Sequence, residues 1–205
     1  MRNTVEELRN LVAEEAARLI YEEGMRDYRL AKLRAAEQLG ANLQGISQPS
    51  NEEVEAAIHN RIRLFDSSSQ PTLLKQHRQV ALEAMDFLQD YHPYLTGAAL
   101  EGTSSSHSPV TLFLSAESPE DVIFFLEDQR IPFQTHERRT RFGSRKAEYH
   151  PLLRFYVDDV EVELMIFPYD ARFAGAPISP ITGKAAKRAD RKKVASLLEN
   201  DRTSG

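Results

Sequence analysis

Residues 94–114 read YLTGAALEGTSSSHSPVTLFL, and this stretch decides the fold. Tyr94, Leu95 and Thr96 read as a short strand running into Gly97. Gly102 opens a turn filled by Ser104, Ser105, Ser106, His107 and Ser108. Beyond it Val110, Leu112 and Leu114 alternate with Thr111 and Phe113, the period of a strand with one buried face. Glycine reaches positive φ freely and lets a ligand press on the backbone, so Gly97 and Gly102 are candidates for either task. A small-residue turn between strands is also a way to approach a phosphate. The expectation is two neighbouring strands of one sheet, joined through the turn at residues 102–108.

Ahead of this stretch the periodicity predicts four helices. The first spans residues 4–23, with Val5, Leu8, Val12, Ala16, Leu19 and Ile20 as its apolar stripe. Thr4 and Glu7 have the spacing of a capping box, and Gly24 is a stop. The second, residues 27–39, ends at Gly40 and turns Tyr28, Ala31, Ala35 and Leu39 inward. The third starts at Ser50 or Asn51, carries Glu52 and Glu53 where the dipole favours acids, and buries Val54, Ile58, Ile62 and Phe65. The fourth, residues 71–91, opens on Pro71 and lines its inner face with Leu74, His77, Ala81, Ala84, Met85 and Leu88. His77 has no second ligand at metal spacing and reads as a packed side chain. Pro93 ends this half. The domain boundary follows: a helical region over 1–92 and an α+β domain over 93–205.

The run AARLIYEEGMRDYRLAKLRAAEQLG resembles the start of a tetracycline-repressor-type DNA-binding domain. The resemblance stops at Gly40. ANLQGISQPS follows, a loop composition rather than a basic recognition helix.

Beyond the central stretch, Ser118, Pro119, Glu120 and Asp121 open a short helix that buries Val122, Phe125 and Leu126. Ile131, Pro132 and Phe133 lead into a strand. A basic loop is expected next, with His136, Arg138, Arg139, Arg141, Arg145 and Lys146, turning at Gly143. Residues 152–157 form a strand, Asp158 and Asp159 a turn, and residues 160–167 the returning strand. On it Val160, Val162, Leu164 and Ile166 face one way, and Glu161, Glu163, Met165 and Phe167 the other. Prolines and glycines in PYDARFAGAPISPITG predict an irregular segment wrapping the sheet. A basic helix over 184–199 is expected last, before a frayed DRTSG tail.

The bulk properties narrow the classes. With 205 residues and 41% hydrophobic residues the chain has enough apolar mass for a core. A net charge of −5 weighs against nucleic acid as a partner, since phosphate backbones recruit basic surfaces. Cysteine is absent, which removes disulfides, thiolate metal sites and cysteine nucleophiles. No apolar run is long enough for a membrane span, and no secretory h-region is present, so a cytoplasmic protein is expected. Helices followed by strands read as α+β, with a mixed sheet of four or five strands and the helical region packed on one side.

The central stretch resembles the signature of the nucleotidyltransferase superfamily, that of DNA polymerase beta and the minimal nucleotidyltransferases. In that family a strand ends in Gly-Ser, a second glycine follows, and the next strand carries Ser-Asp-x-Asp. Here Gly97-Ala98 stands for Gly-Ser, Gly102 for the second glycine, and Ser108 for the serine before the aspartates. Pro109 and Thr111 occupy the aspartate positions. The whole chain also resembles short bacterial proteins described as nucleotidyltransferase-like. The resemblance implies a nucleotidyltransferase-type sheet and a degenerate member of the family, a pseudoenzyme. Two carboxylates at alternate strand positions hold the ions of phosphoryl transfer, and proline and threonine do not replace them.

The residues implied to bind nucleotide are Gly97, Ala98, Gly102, Ser104, Ser108, Arg138, Arg139 and Arg141. No catalytic residue, metal ligand or cofactor is assigned. The resemblance also implies a third carboxylate on a later strand, Glu161 or Glu163; read without it, these acids lie on a solvated face, paired with an arginine such as Arg154. Three functions compete. The first is an inactive protein binding a nucleotide or a protein partner. The second is an active transferase with a rearranged acid set of Asp159, Glu161 and Glu163. The third is a nucleic-acid-binding module using the basic segments. Serine catalysis is set aside: His107 is adjacent to its serines, which points their side chains apart, and no Gly-x-Ser-x-Gly elbow exists.

Overall fold

In the computed structural model, which describes residues 2–40, 48–173 and 175–203, the central stretch forms two neighbouring strands. Strand β1 (Tyr94–Thr96) pairs antiparallel with β2 (Val110–Ala116), placing Tyr94 opposite Phe113, Leu95 opposite Leu112 and Thr96 opposite Thr111. The link differs from the expected plain turn. A single helical turn, which becomes α5 (Ala98–Glu101) in chain order, stands between the strands. Gly97, at φ 73 and ψ −154, breaks the strand direction; Gly102, at φ 85, ends the helical turn in the left-handed region. The N–H groups of Gly102 and Thr103 both donate to the Ala98 carbonyl.

Four helices precede β1: α1 (Arg2–Tyr21), α2 (Tyr28–Gln38), α3 (Asn51–Phe65) and α4 (Gln70–Phe87). After β2 come α6 (Pro119–Asp128), β3 (Gln134–Thr140), β4 (Glu148–Val157), β5 (Val160–Pro168) and α7 (Arg191–Thr203). The sheet is mixed, in the order β1-β2-β5-β4-β3. The β2–β5 pair is parallel, and the other pairs are antiparallel. The chain is therefore α+β, with its N-terminal helices packed against a five-stranded sheet. Among the described residues no helix is long and apolar enough to cross a membrane.

Several local signals act as their chemistry dictates. Asp27 caps α2 by accepting from the N–H groups of Arg29 and Leu30. Ser50 and Glu53 form a capping box on α3, and Ser118 and Asp121 one on α6. Asp158 and Asp159 both take positive φ, 45° and 66°, making the tight turn between β4 and β5. Pro109 falls just before β2, where its missing N–H costs no ladder bond.

Two cores result. One face of the sheet, with Leu95, Leu112, Leu114, Leu153, Val162 and Leu164, packs on α4, α6 and α7 through residues such as Ala81, Met85, Leu126 and Val194. Helices α1–α3 build a second core from Val12, Ala16, Leu19, Ala31, Ala35, Val54 and Ile58. Glu55 on α3 links the two regions, accepting from Tyr28 of α2 and from Thr103 after α5.

Other expectations are corrected. Helix α1 spans Arg2–Tyr21, so Thr4 lies within it rather than at the N-cap position. Leu39 and Phe65 are exposed because their helices reach the surface at these ends. Helix α4 stops at Phe87, and residues 89–91 form a separate 3-10 turn. The basic segment is a strand as far as Thr140: β3 is an edge strand, and its ladder to β4 overrides the loop-like composition. The last helix starts only at Arg191. Residues before it extend instead, because Ala189 exchanges two backbone hydrogen bonds with Leu95, at 2.8 and 2.9 Å, and covers the free edge of β1. The ANLQGIS part of the loop after Gly40, and the final Ser204 and Gly205, lie outside the described residues.

Gly97 tests the architecture. An added Cβ would meet only Thr111, at 3.9 Å, so there is room, yet the φ/ψ pair is one that L-residues avoid. Gly97→Ala is expected to lower unfolding stability by about 1–3 kcal/mol through backbone strain alone. Urea denaturation of both proteins checks this.

Candidate functional site

The sheet face turned away from α4 is polar at one end and apolar at the other. Leu152, Met165 and Phe167 bury the apolar end, with Phe113 and Phe142 packed on it. Residues 177–187 cross this face and leave a cavity of about 680 Å³ beneath them. They are held by the Ile178 N–H to the Arg141 carbonyl at 2.6 Å and by the Thr96 hydroxyl to the Lys187 carbonyl at 2.8 Å. Gly97, Thr111, Arg138, Arg139, Arg141 and Lys187 line the cavity, with Phe113 and Met165 in its floor. Lys187 is paired with Glu101. Arg139 and Arg141 have no side-chain partner among the described residues and are exposed.

Beside the cavity stands a buried carboxylate. Glu163 is 1% exposed and is the register partner of Thr111 across β2 and β5. Both of its oxygens are engaged. Oε1 accepts from Arg26 and Arg154, each at 3.0 Å, and Oε2 from Arg138 at 2.8 Å. Glu161, on the same strand face, holds Arg26 through two bonds of 2.8 and 2.9 Å and accepts from Tyr156. Arg154 Nε lies 2.7 Å from Glu161 Oε1, but its N–H is not aligned and makes no hydrogen bond. Three guanidinium groups thus enclose two carboxylates. Burial by itself pushes Glu161 up, yet the Arg26 bond and the charges of Arg26 and Arg154 outweigh it and hold Glu161 below the ordinary range. The Glu161 bond in turn raises Arg26.

The expected binding residues divide between places. Gly97, Arg138, Arg139 and Arg141 meet in the large cavity. Ala98 opens α5 beside it, and Gly102 serves as the left-handed end of that turn. Ser104 is fully buried with an unpartnered hydroxyl. Ser108 accepts the Ser105 N–H at 3.0 Å and lines a separate cavity near α4. Asp159 also lines that second cavity, together with Arg26 and Glu161, whereas Arg138 lines the large one. The solvated-face reading of Glu163 is overturned by its burial, although its pairing with Arg154 is present. Arg26 is a site residue that the sequence does not single out. It is 137 residues away from Glu163 along the chain, and nothing near it in sequence marks its target.

The donor set does not suit the two-ion chemistry that the nucleotidyltransferase resemblance implies. Thr111 and Pro109 offer no carboxylate, and both oxygens of Glu163 already accept from arginine. Among the described residues no group of three or more His, Asp or Glu side chains is placed to hold a metal ion. Comparison with known proteins adds no relative: no family model, curated protein or solved structure matches the chain.

Two measurements follow. Glu163→Gln leaves Arg138 without a carboxylate and Arg26 and Arg154 with Glu161 alone, and it is expected to cost about 3 kcal/mol, because breaking a buried pair strands a partner. Guanidinium headgroups partly in water keep the loss at that lower end. Urea unfolding at neutral pH reads it. Glu161, depressed in the fold, adds stability that is present above its ordinary 4.5 and lost as pH falls through its lower folded value. The acid-side decline in stability should therefore be shallower in Glu161→Gln.

Proposed function

We propose that the chain is a nucleotidyltransferase-type protein that binds a nucleotide in the large cavity and does not carry out two-metal transfer. The observation that carries this reading is the state of Glu163. It stands opposite Thr111 on the adjacent strand, where the resemblance places a third carboxylate, and three arginines hold it in place of ions. The cavity beside it supplies what a triphosphate needs: the open backbone at Gly97 and the unpaired guanidinium groups of Arg139 and Arg141. Arginine forks match phosphate oxygens bidentately. Phe113 and Met165 offer apolar surface for a base.

Arrangement of the acids weighs against the rearranged-acid transferase. Glu161 and Glu163 are already neutralised by arginine, which leaves Asp159 as the one acid of that set without a cation among the described residues. Among the described residues no comparable built site favours a protein partner.

Calorimetry with the common nucleoside triphosphates tests the reading. Saturable binding is expected for at least one of them. Arg139→Ala combined with Arg141→Ala should weaken it at least tenfold, about 1.4 kcal/mol. Absence of binding to every triphosphate, or binding unchanged by the double substitution, overturns the proposal. Incubation with labelled triphosphates and Mg²⁺ or Mn²⁺ should give no transfer above background; metal-dependent labelling that disappears in Glu163→Gln would favour the active enzyme.

A further inference from the structure

A second cavity, of about 410 Å³, opens where four segments meet: the α1–α2 linker, α4, the serine-rich turn and the β4–β5 hairpin. It shares no lining residue with the large cavity. Its charges are unevenly matched. Glu23 is paired with Arg18 at 2.9 Å, and Glu161 and Arg26 neutralise each other. Asp158 and Asp159 remain, both on the wall, with no hydrogen bond or ion pair among the described residues. They are adjacent in a two-residue turn at positive φ, and both are exposed at the rim of the cavity.

A second observation comes from α4. His77 lines the same cavity, is 2% exposed and makes no hydrogen bond; its Nδ1 is sealed without a partner. The sealed Nδ1 is out of a ligand's reach, so the ring can meet the cavity only through Nε2, which has no hydrogen-bond partner among the described residues either. Burial lowers the His77 pKa, so the ring is neutral near pH 7 and retains an acceptor nitrogen. Close packing builds this wall: a Cβ added at Gly24 would lie 2.8 Å from the Cβ of His107, so only glycine lets that side chain approach. Tyr156 adds an aromatic face, which attracts cations.

We propose that this cavity binds a small organic ammonium ion, with Asp158 and Asp159 as counter-charges and the unpartnered imidazole of His77 on its wall. The ligand must be cationic, because the uncompensated charge is negative. An ammonium group is compact and carries three donors, which suits two carboxylates and a neutral imidazole. A bare metal ion fits less well, since no group of three or more ligating side chains converges among the described residues. The volume lies in the usual range for small-molecule sites.

The experiment is calorimetric titration of the full chain with 1,4-diaminobutane, beside 1,4-butanediol as the uncharged match, at constant ionic strength. Saturable binding of the diamine and none of the diol is expected. Asp158→Asn with Asp159→Asn should weaken binding at least tenfold; asparagine tolerates the left-handed turn, so the fold is kept, as thermal melting will verify. His77→Leu should weaken it as well. No saturable diamine binding, equal binding of the diol, or affinity unchanged in the double asparagine variant would overturn the proposal. None of these outcomes bears on nucleotide binding in the other cavity.

Discussion

A carboxylate taken out of water must be paired, or the fold loses several kcal/mol. Glu163 is such a group, and the cations that satisfy it come from three places: Arg26 ahead of α2, Arg138 on β3 and Arg154 on β4. One charge therefore ties the helical region to the sheet and the edge strand to the centre. The cost of leaving it unpaired makes that arrangement specific. Glu161 reinforces it by holding Arg26 and Arg154 in place.

This constraint also shapes the surface available for chemistry. Arg138 turns toward Glu163 at the margin of the large cavity, while Arg139 and Arg141 have no side-chain partner among the described residues. The segment across the face closes the cavity because β1 is short and its outer edge needs hydrogen-bond partners. Leu95 finds them on Ala189, and the chain leading to Ala189 must pass over the sheet to reach it. Covering an edge and roofing a cavity are thus one structural event.

The two cavities have opposite electrostatic character. Arginine supplies the free charge of one, and aspartate that of the other. Phosphate and ammonium groups are the chemical complements of those charges, and the two regions lie on different segments of the sheet. The serine-rich turn, which the sequence associates with phosphate, contributes Ser106, His107 and Ser108 to the acidic cavity instead.

Features governed by interactions within a few residues were legible in the sequence. The strands β2 and β5, the caps at Ser50 and Ser118, the positive φ of Gly97 and Gly102, and the Asp158-Asp159 turn follow from local preferences, whereas the burial of both faces of β2 and β5 and the capping role of Asp27, which the sequence places inside its helix, do not. The candidate site was legible in part: Gly97 and the arginines at 138, 139 and 141 do share a cavity, whereas Ser108 does not belong to it. Tertiary structure decided the rest. Whether a basic stretch becomes an edge strand depends on a neighbour offering a free ladder, and whether residues 184–190 coil into a helix depends on the edge of β1. The Arg26–Glu163 pair joins distant parts of the chain, and no periodicity within either segment encodes a contact that exists only once both cores have docked.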